Sequence, residues 1–442
     1  MHRRHPKRDG RRSGRSREGL ESVGAAGDLL ITGLVELVDP GDGPGPLEVV
    51  RDAFLWIEGG RVRARGPMAD LPADATGAPR LDGRGYVALP GLVDSHTHAV
   101  FGATREHEFE ARLAGATYRE IAVQGGGILY SVRDLRGRDE EELVAITRPR
   151  LAAFAEHGVT TIEVKSGYGL TTEDELKQLR VVRRLAEEPQ LPRLIPTFLG
   201  AHAVPPELAR DRGAYVRRVI DEMLPAVASE ELARFCDVFC DEGAFTLDES
   251  ESILARAREL GLGLKIHAEE FEPTGGAALA ARMGAASADH LVAIDRAGIE
   301  ALARSTTVAT LLPGTSFFLR LGRHAPARAL ADAGARLALA TDFNPGSSMT
   351  QNLLLIASFG CCVLGLTIAE ALRAVTRGGA LAVARPELGM LAPGAAGDVA
   401  LFDVPEHRHL VYHYGAHPTA LVVREGRVIW KTPHVEARLT GR

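Results

Sequence analysis

Short apolar runs alternate with helical patterns through the central part of the chain, from about residue 91 to about residue 385. Between the runs, Ala and Leu recur at helical spacing, as in residues 172–188. A doubly wound sheet usually carries a glycine-rich phosphate loop after its first strand, whereas the first run here ends in His-Thr-His. We therefore predict an α/β fold of the (β/α)8 TIM-barrel type. The eight predicted strands are residues 91–98, 158–166, 193–202, 235–242, 263–270, 287–291, 307–314 and 337–343.

Both ends of the chain carry a different, β-prone pattern. The run 53–66 predicts a hairpin that turns at Glu58-Gly59-Gly60, and the run 419–431 predicts another around Glu425-Gly426. Because the middle lacks such hairpins, we predict a small composite β-sandwich domain built from both chain ends. The predicted divisions are a disordered basic leader at 1–27, the first part of the β-sandwich at 28–90, the barrel at 91–387, and the second part with the C-terminal tail at 388–442.

Composition narrows the class of protein. Apolar residues make up 45% of the 442, enough for a large core, and four cysteines are too few for a disulfide framework. The net charge is −6 although the first 20 residues are strongly basic, so the remaining body is acidic and nucleic-acid binding is not expected. No run of about 18 apolar residues predicts a membrane span. Glu21 and Asp28 follow the basic stretch 1–20, where a secretory signal would need apolar residues, so we expect a cytoplasmic enzyme.

Polar residues recur where the predicted strands end. Active sites of TIM barrels lie at the C-terminal ends of the strands, so these side chains are expected to meet in one place. They are His96, His98, Tyr168, His202, His267, Glu270, His290 and Asp342.

His96 and His98 are two apart on one predicted strand and therefore point to the same side. Such a pair alone is weak evidence, but His267 and Asp342 end other strands of the same barrel. Three imidazoles and one carboxylate suit a divalent ion such as Zn²⁺, with an open position for a reactive water. A second histidine cluster at 407–417 has no such carboxylate at a strand end, and we interpret it as surface or packing residues.

Eight segments carry distinctive motifs, and they lie at 90–98, 102–128, 163–170, 197–207, 236–245, 265–271, 288–291 and 341–348. Together they resemble the amidohydrolase superfamily, and more closely its imidazolonepropionase family. Members with two metal ions typically carry a carbamylated lysine at the end of the fourth strand, which here contains none. Lys165 is on the second strand and Lys265 on the fifth, where we expect it to point away from the face of His267. The resemblance therefore implies one divalent metal per subunit.

The resemblance implies hydrolysis of the cyclic amide of imidazolone-propionate, which yields N-formimino-glutamate in histidine degradation. Glu270 is the expected general base, Asp342 shares proton handling, and neighbouring Glu269 is expected to be solvated. His290 is expected to donate to the developing oxyanion or to hold the water. The alternative is a core histidine bonded to Asp289.

Substrate contacts follow from the same resemblance. Arg105 is the expected clamp for the carboxylate, because a guanidinium binds it through two parallel hydrogen bonds. The triglycine at 125–127 lacks the Lys-Ser/Thr ending of a phosphate loop, so we do not expect a nucleotide site. The expected substrate-binding residues are Arg105, Tyr168, His202, Glu270, Asn344, Gly346 and Ser347.

Two alternatives remain open from the sequence. A deaminase or hydrolase of another nitrogen heterocycle, such as guanine or cytosine, would share the fold and the ligands. A non-catalytic scaffold would usually have lost ligands or the base, and here all are present. The choice of Zn, Fe or Mn is also open, and a homodimer is implied only by the resemblance.

Overall fold

The computed structural model describes residues 27–75, 77–116, 120–121, 125–436 and 439–440. The predicted basic leader lies outside the described residues except for Gly27. The strands in chain order are β1 (Leu29–Asp39), β2 (Glu48–Glu58), β3 (Arg61–Pro67), β4 (Arg80–Asp82), β5 (Val87–Pro90), β6 (Leu92–Asp94), β7 (Val159–Lys165), β8 (Arg193–Ala201), β9 (Phe235–Cys240), β10 (Gly263–Ala268), β11 (Ser287–His290), β12 (Val308–Leu311), β13 (Arg336–Leu339), β14 (Val399–Phe402), β15 (Thr419–Arg424), β16 (Arg427–Lys431) and β17 (Leu439–Thr440).

Eight parallel strands, β6 to β13, form the predicted barrel in sequential order. Seven of the predicted runs contain a whole strand, and the eighth, 337–343, begins one residue after the start of β13. Most residues of these strands are buried, as all of them are in β7 and β12, so the runs lack the alternation of buried and exposed positions that a half-exposed sheet would show. The barrel closes just beyond the strands, where His98 N donates to Phe343 O (2.9 Å) and Asp342 N donates to His96 O (3.0 Å). The prediction of a TIM barrel is confirmed.

Helices cover the outside of the barrel, and several begin at the capping residues that their sequences provide. Thr246 and Glu249 form a capping box at Leu247–Glu259, as Asp139 and Glu142 do at Glu140–Glu156. The other α-helices are Glu106–Leu113, Ile128–Arg136, Thr172–Ala186, Arg212–Arg218, Leu224–Ser229, Gly276–Met283, Arg296–Ala303, Pro313–Phe318, Ala327–Asp332, Leu353–Cys362, Ile368–Arg373, Gly379–Ala382, His409–Tyr412 and Pro433–Glu436. Short 3-10 turns lie at Met68–Asp70 and Pro206–Leu208, and π-helical turns at Val219–Met223 and Ala374–Gly378.

The two chain ends form one nine-stranded mixed sheet, so the predicted composite β-domain is confirmed. Its main order is β16-β15-β14-β5-β1-β2-β3, with β4 pairing both β1 and β17. Both predicted hairpins have two-residue turns with positive φ, at Gly59-Gly60 and at Glu425-Gly426. These are the turns that match the twist of paired strands.

The middle of this sheet is buried on both faces. Along β5, Val87 and Leu89 join the core of the barrel, while Ala88 joins the separate core of the sheet. The neighbouring β14 alternates in the same way, with Phe402 on the barrel side and Leu401 on the other. This period-two pattern attaches the sheet firmly to the barrel. In the part of the chain that the structure describes, no helix is long and apolar enough to cross a membrane.

His157, at the end of the barrel helix Glu140–Glu156, lies next to His417, which precedes strand β15 of the mixed sheet. The centroids of the two rings are 4.8 Å apart. Burial, followed by the neighbouring His417, lowers the pKa of His157 to about 4. In the unfolded chain this ring titrates near pH 6.5, so the unfolded state takes up a proton first as the pH falls. The stabilisation from the neutral ring is therefore complete above about pH 6.5 and is lost towards about pH 4.

We expect His157→Gln to reduce the acid sensitivity of the fold. The drop in unfolding free energy between about pH 7.5 and about pH 5 should be about 1 kcal/mol smaller than in the wild type, allowing for the partly exposed ring. Urea unfolding at both pH values measures this difference. His413→Gln, at an exposed position, is the control and should behave as the wild type. An unchanged pH dependence in His157→Gln would contradict the assignment.

Candidate active site

The predicted polar residues do converge at the C-terminal ends of the barrel strands. His96 lies fully buried at the base, and the others line one cavity above it. The polar residues and the glycine that line this cavity are His98, Arg105, Arg112, Tyr168, His202, His267, Glu270, His290, Asp342, Asn344, Gly346 and Ser347. The site residues predicted from the sequence therefore lie in one place. Lining residues that were not predicted are Arg112 and the apolar Ile128, Phe239, Phe271 and Leu319.

Three histidines form a compact group at the base of the cavity. Ligand atoms of His96, His98 and His267 all lie within 4.8 Å of one another. The carboxylate oxygen Oδ1 of Asp342 is 3.6 Å from Nε2 of His96 and 3.5 Å from Nε2 of His98. Two ligands on one tetrahedral ion with bonds of about 2.0–2.1 Å would be about 3.3 Å apart, close to these separations.

The donor set fits a divalent metal ion. Nε2 of His96 and Nε2 of His267 are buried and have no hydrogen-bond partner among the described residues. Buried polar atoms are rarely left unpaired, so these nitrogens point to a missing partner. Burial lowers the pKa of His96 and His98 well below the ordinary value, and nearby histidines and Lys165 lower it further. Both rings are thus neutral, the form that binds metal.

Buried aspartates orient two of these imidazoles. Asp289 Oδ2 is hydrogen-bonded to Nδ1 of His96 (2.7 Å), which fixes Nδ1 as the protonated nitrogen of that ring and leaves Nε2 for a metal ion. Asp237 Oδ2 lies 3.0 Å from Nδ1 of His267, a close contact without hydrogen-bond geometry, and Asp237 Oδ1 accepts the backbone N–H of His267 (3.1 Å). This role was not predicted, since Asp289 was expected only as a partner of His290. For Asp237 the sequence offers a signal, because it is a carboxylate within the otherwise apolar strand β9, where a charge needs a partner.

Left-handed backbone conformations are concentrated at these strand ends. His290 has φ +77°, Asp342 +53° and Glu269 +56°, values that non-glycine residues rarely adopt. Such strain persists only where the surrounding structure holds it, and it is typical of functional sites. At Glu269 this conformation lets two successive side chains point in different directions, one into the cavity and one into the surrounding protein.

Glu269 and Glu270 show the effect of this turn. Glu270 lines the cavity, with Oε2 3.7 Å from Nδ1 of His290. Burial, followed by Asp342 and Asp241, raises the pKa of Glu270 well above its usual value. The expectation that Glu269 is solvated was wrong, because its side chain is buried and Oε1 accepts the Gly275 N–H (2.9 Å) at the start of a helix.

Arg105 is held in place at one wall of the cavity. Its Nε donates to Glu108 Oε2 (3.0 Å), and Glu108 Oε1 accepts the N–H of Gly127 (2.8 Å) from the triglycine segment. A Cβ atom added to Gly346 would lie 2.4 Å from the Arg105 guanidinium carbon, so a larger residue fits there only if Arg105 leaves its position. Arg112 donates to the carbonyl of Gly346 (3.0 Å) from the same side.

Asn344 organises the turn that follows Asp342. Its Oδ1 accepts the N–H groups of Gly346 and Ser347, each at 2.8 Å, and its Nδ2 donates to the Ser347 hydroxyl (2.7 Å). Both ends of the Asn344 amide therefore make hydrogen bonds within the turn, and residues of that turn line the cavity.

The Tyr168 loop is built on a buried carboxylate. Glu175 accepts N–H groups from Gly167 (3.0 Å), Gly169 (2.8 Å) and Leu170 (2.8 Å). The buried Tyr168 ring consequently lies near His98 and His202, at centroid distances of 5.9 and 5.6 Å. The role of Glu175 was not predicted. Glu175 is one of three acidic residues in the first turn of the helix Thr172–Ala186, and such residues are usually exposed to solvent.

His202 presents one nitrogen to the cavity. Its Nδ1 is 2.9 Å from Gly167 O, which assigns the proton to Nδ1 and leaves Nε2 as an acceptor. Burial, followed by His267, lowers the pKa of His202 to about 3, so the ring is neutral. A wider, mainly apolar cleft of about 920 Å³ shares His202, Ile128 and Leu319 with the catalytic cavity and adjoins it.

One expectation about the lysines was wrong. Lys265 points into the barrel interior, where its Nζ donates to Ser95 O (3.1 Å). It does so because residues two apart on a strand, here Lys265 and His267, share a face. Lys165 is also buried inside the barrel, bound to carboxylates.

Comparisons with known proteins agree with this architecture. The sequence model of the amidohydrolase family matches residues 125–429. Imidazolonepropionase of Herpetosiphon aurantiacus is 44% identical over 91% of this chain and 97% of its own length. Imidazolonepropionase of Myxococcus xanthus is 47% identical over 85% and 90%, respectively. Guanine deaminase of C. acetobutylicum has a similar structure, with a TM-score of 0.67 at 13% identity over 91% of this chain and 100% of its own, a likeness that extends to the fold alone.

Proposed function

The chain belongs to the amidohydrolase family and, within it, to the imidazolonepropionases, and on this premise we propose that it hydrolyses 4-imidazolone-5-propanoate to N-formimino-L-glutamate. It is a hydrolase of the carbon–nitrogen bond in a cyclic amide and acts in histidine degradation. The observation that carries this function is the presence, in one cavity, of a metal-ligand group, a buried carboxylate and the Arg105 guanidinium.

His96, His98, His267 and Asp342 are the residues that would hold one divalent metal ion per subunit. Zn and Fe both suit three imidazoles and one carboxylate, and metal analysis of the purified protein decides between them. A divalent ion at this position supplies a Lewis acid that activates water near neutral pH.

Glu270 is the proposed general base. In its ionised form, which the positive charge of a bound divalent ion would favour against the effect of burial, it takes one proton from the attacking water and then delivers that proton to the ring nitrogen that leaves. The water oxygen enters the new carboxylate while the carbonyl carbon–nitrogen bond breaks, so atoms balance without another reactant. Asp342 shares proton handling with Glu270, whose pKa it helps to raise through its negative charge.

His290 is the proposed donor to the ring oxygen as negative charge develops there. Burial, followed by His267, lowers the pKa of His290 well below its usual value, so it acts as a neutral imidazole. Its ring centroid is 5.2 Å from that of His267, which keeps it close to the reacting centre.

The remaining lining residues would orient the substrate. Arg105 binds the propionate carboxylate through two parallel hydrogen bonds. Tyr168 covers the flat ring, and Nε2 of His202 accepts a ring N–H because its Nδ1 is already committed. Glu270 also contacts the ring. The turn that contains Asn344, Gly346 and Ser347 contacts the opened product.

The assembly and location of the protein are proposals carried over from family resemblance. We propose a homodimer in the cytoplasm that acts on a small-molecule substrate. Light scattering of the purified chain tests the dimer.

A direct assay tests the function. We expect purified, metal-loaded protein to consume freshly prepared imidazolone-propionate well above its spontaneous decay and to form N-formimino-glutamate by mass. A chelator should abolish turnover, because the ligand group would lose its ion, and reloading should restore it. Release of ammonia from guanine or cytosine, with no turnover of the imidazolone, would replace this proposal with a deaminase.

A further inference from the structure

Lys165, the last residue of β7, is a fully buried cation beneath the three clustered histidines. Its Nζ is 2.8 Å from Glu163 Oε1, 2.7 Å from Asp237 Oδ2 and 3.7 Å from Asp289 Oδ2. One ammonium group therefore faces three buried carboxylates from three different strands. The mechanism described above uses none of these four groups.

Two of the three carboxylates also contact metal-ligand histidines. Asp289 Oδ2 is hydrogen-bonded to Nδ1 of His96 (2.7 Å), and Asp237 Oδ2 lies in close contact with Nδ1 of His267 (3.0 Å). Asp237 also accepts the backbone N–H of His267 through Oδ1 (3.1 Å). Lys165 is thus the common neighbour that connects two ligands from β10 and from the end of β6.

We propose that Lys165 is a positioning residue that fixes Asp237 and Asp289 against the two ligand imidazoles, and so sets the affinity of the metal site. The inference rests on the metal site in the proposed function. It adds a residue that neither touches the substrate nor ligates the ion.

The physical reason is charge balance in a space without water. Like charges at short range repel strongly in the protein interior, and unpaired buried charges are costly. With Lys165 present, the carboxylates converge on one ammonium and keep their orientation towards the rings. Without Lys165, the two aspartates repel each other and move apart, and their contacts with the Nδ1 atoms of His96 and His267 are lost. The two imidazole rings are then free to turn away from the positions that a metal ion requires. Loss of such outer partners typically weakens metal binding by about 10- to 100-fold.

Lys265 provides a matched control. It is equally buried, on the neighbouring part of the barrel interior, but its Nζ donates to the backbone carbonyls of Ser95 (3.1 Å) and Ala382 (3.3 Å). Its distance to the nearest of the same carboxylates, Asp289, is 3.9 Å. Lys265→Met therefore removes a second buried ammonium while the short contacts of Lys165 with Glu163 and Asp237 are kept.

The test is titration of the metal-free proteins with Co²⁺ against a competing chelator, together with the visible absorption spectrum of bound Co²⁺. We expect Lys165→Met to bind Co²⁺ at least about 10-fold more weakly than wild type and to alter its spectrum, whereas Lys265→Met stays within about 3-fold. Lys165→Gln, which keeps a polar group in the space, should weaken Co²⁺ binding in the same direction.

Three outcomes would overturn the proposal. They are a folded Lys165→Met that binds Co²⁺ as the wild type does, equal weakening in Lys165→Met and Lys265→Met, and failure of both Lys165 variants to fold even with saturating Co²⁺. The Co²⁺ measurement needs no substrate. Absence of imidazolone-propionate turnover in the wild type would therefore remove the proposed function without affecting this result. Absence of Co²⁺ binding by the wild type would remove the metal site itself.

Discussion

Glu270→Gln is expected to lower kcat by about 10²- to 10⁴-fold while the protein keeps its metal and its affinity for the substrate. The amide is nearly the same size as the carboxylate, but it cannot accept the proton of the attacking water. Because Glu270 stands 3.7 Å from His290 and lines the cavity, its loss acts on the chemical step. Steady-state kinetics and metal analysis on the same sample measure both quantities.

Glu269→Gln is the matched control for this experiment. Glu269 is the adjacent residue, is also buried, and accepts the Gly275 N–H, which a glutamine side chain can still do. We expect its kcat to stay within about 3-fold of wild type because its side chain is directed away from the cavity. Near-normal turnover in Glu270→Gln would remove Glu270 as the base, and a large loss in Glu269→Gln alone would exchange the roles.

Arg105→Gln is expected to lower kcat/KM by about 10²- to 10³-fold, mainly through KM. The guanidinium is buried and held by Glu108, so its pair with the substrate carboxylate is charge-assisted and shielded from water. Loss of one partner of such a pair costs about 2–5 kcal/mol. A truncated imidazolone with a methyl group in place of the propionate provides a second measurement. Wild type should discriminate strongly against it, and Arg105→Gln should do so much less.

Gly346→Ala tests the same contact without altering the arginine. The added Cβ would lie 2.4 Å from the guanidinium carbon, so Arg105 must leave its position. We expect a loss in kcat/KM similar to that of Arg105→Gln, and little additional loss when the two changes are combined. Additive losses in the double variant would show that Gly346 and Arg105 act independently and would contradict this account of the clamp.

The barrel, the ligand group and the cavity could be predicted from the sequence because each rests on local pattern. Apolar runs mark parallel strands, and polar residues at their ends, such as His96, His98 and His267, must share the C-terminal face of the barrel. The alternation of side chains along β10 also places Lys265 on the same face as His267, contrary to the prediction that the two point apart.

The outer contacts of the site could not be predicted in the same way. Asp237, Asp289 and Lys165 are three buried charges whose partnership exists only when β7, β9 and β11 are brought together by closure of the barrel. The different environments of Glu269 and Glu270 depend on a left-handed backbone conformation at Glu269. Glutamate rarely adopts that conformation, so its sequence gives no reason to predict it.

The order of strands in the mixed sheet has a consequence for biosynthesis. Strand β5, which directly precedes the barrel, hydrogen-bonds to β14, which follows it, so the whole barrel is inserted between two neighbouring strands. Because the chain is made from its N-terminus, β5 is synthesised early. The edge of β5 that pairs with β14 stays unpaired until almost the entire polypeptide has been translated. A prematurely terminated chain exposes that edge, the kind of surface that promotes aggregation. Because β5 can pair with β14 only after the barrel has been translated, we expect that chains that end before β14 aggregate more readily than the complete chain.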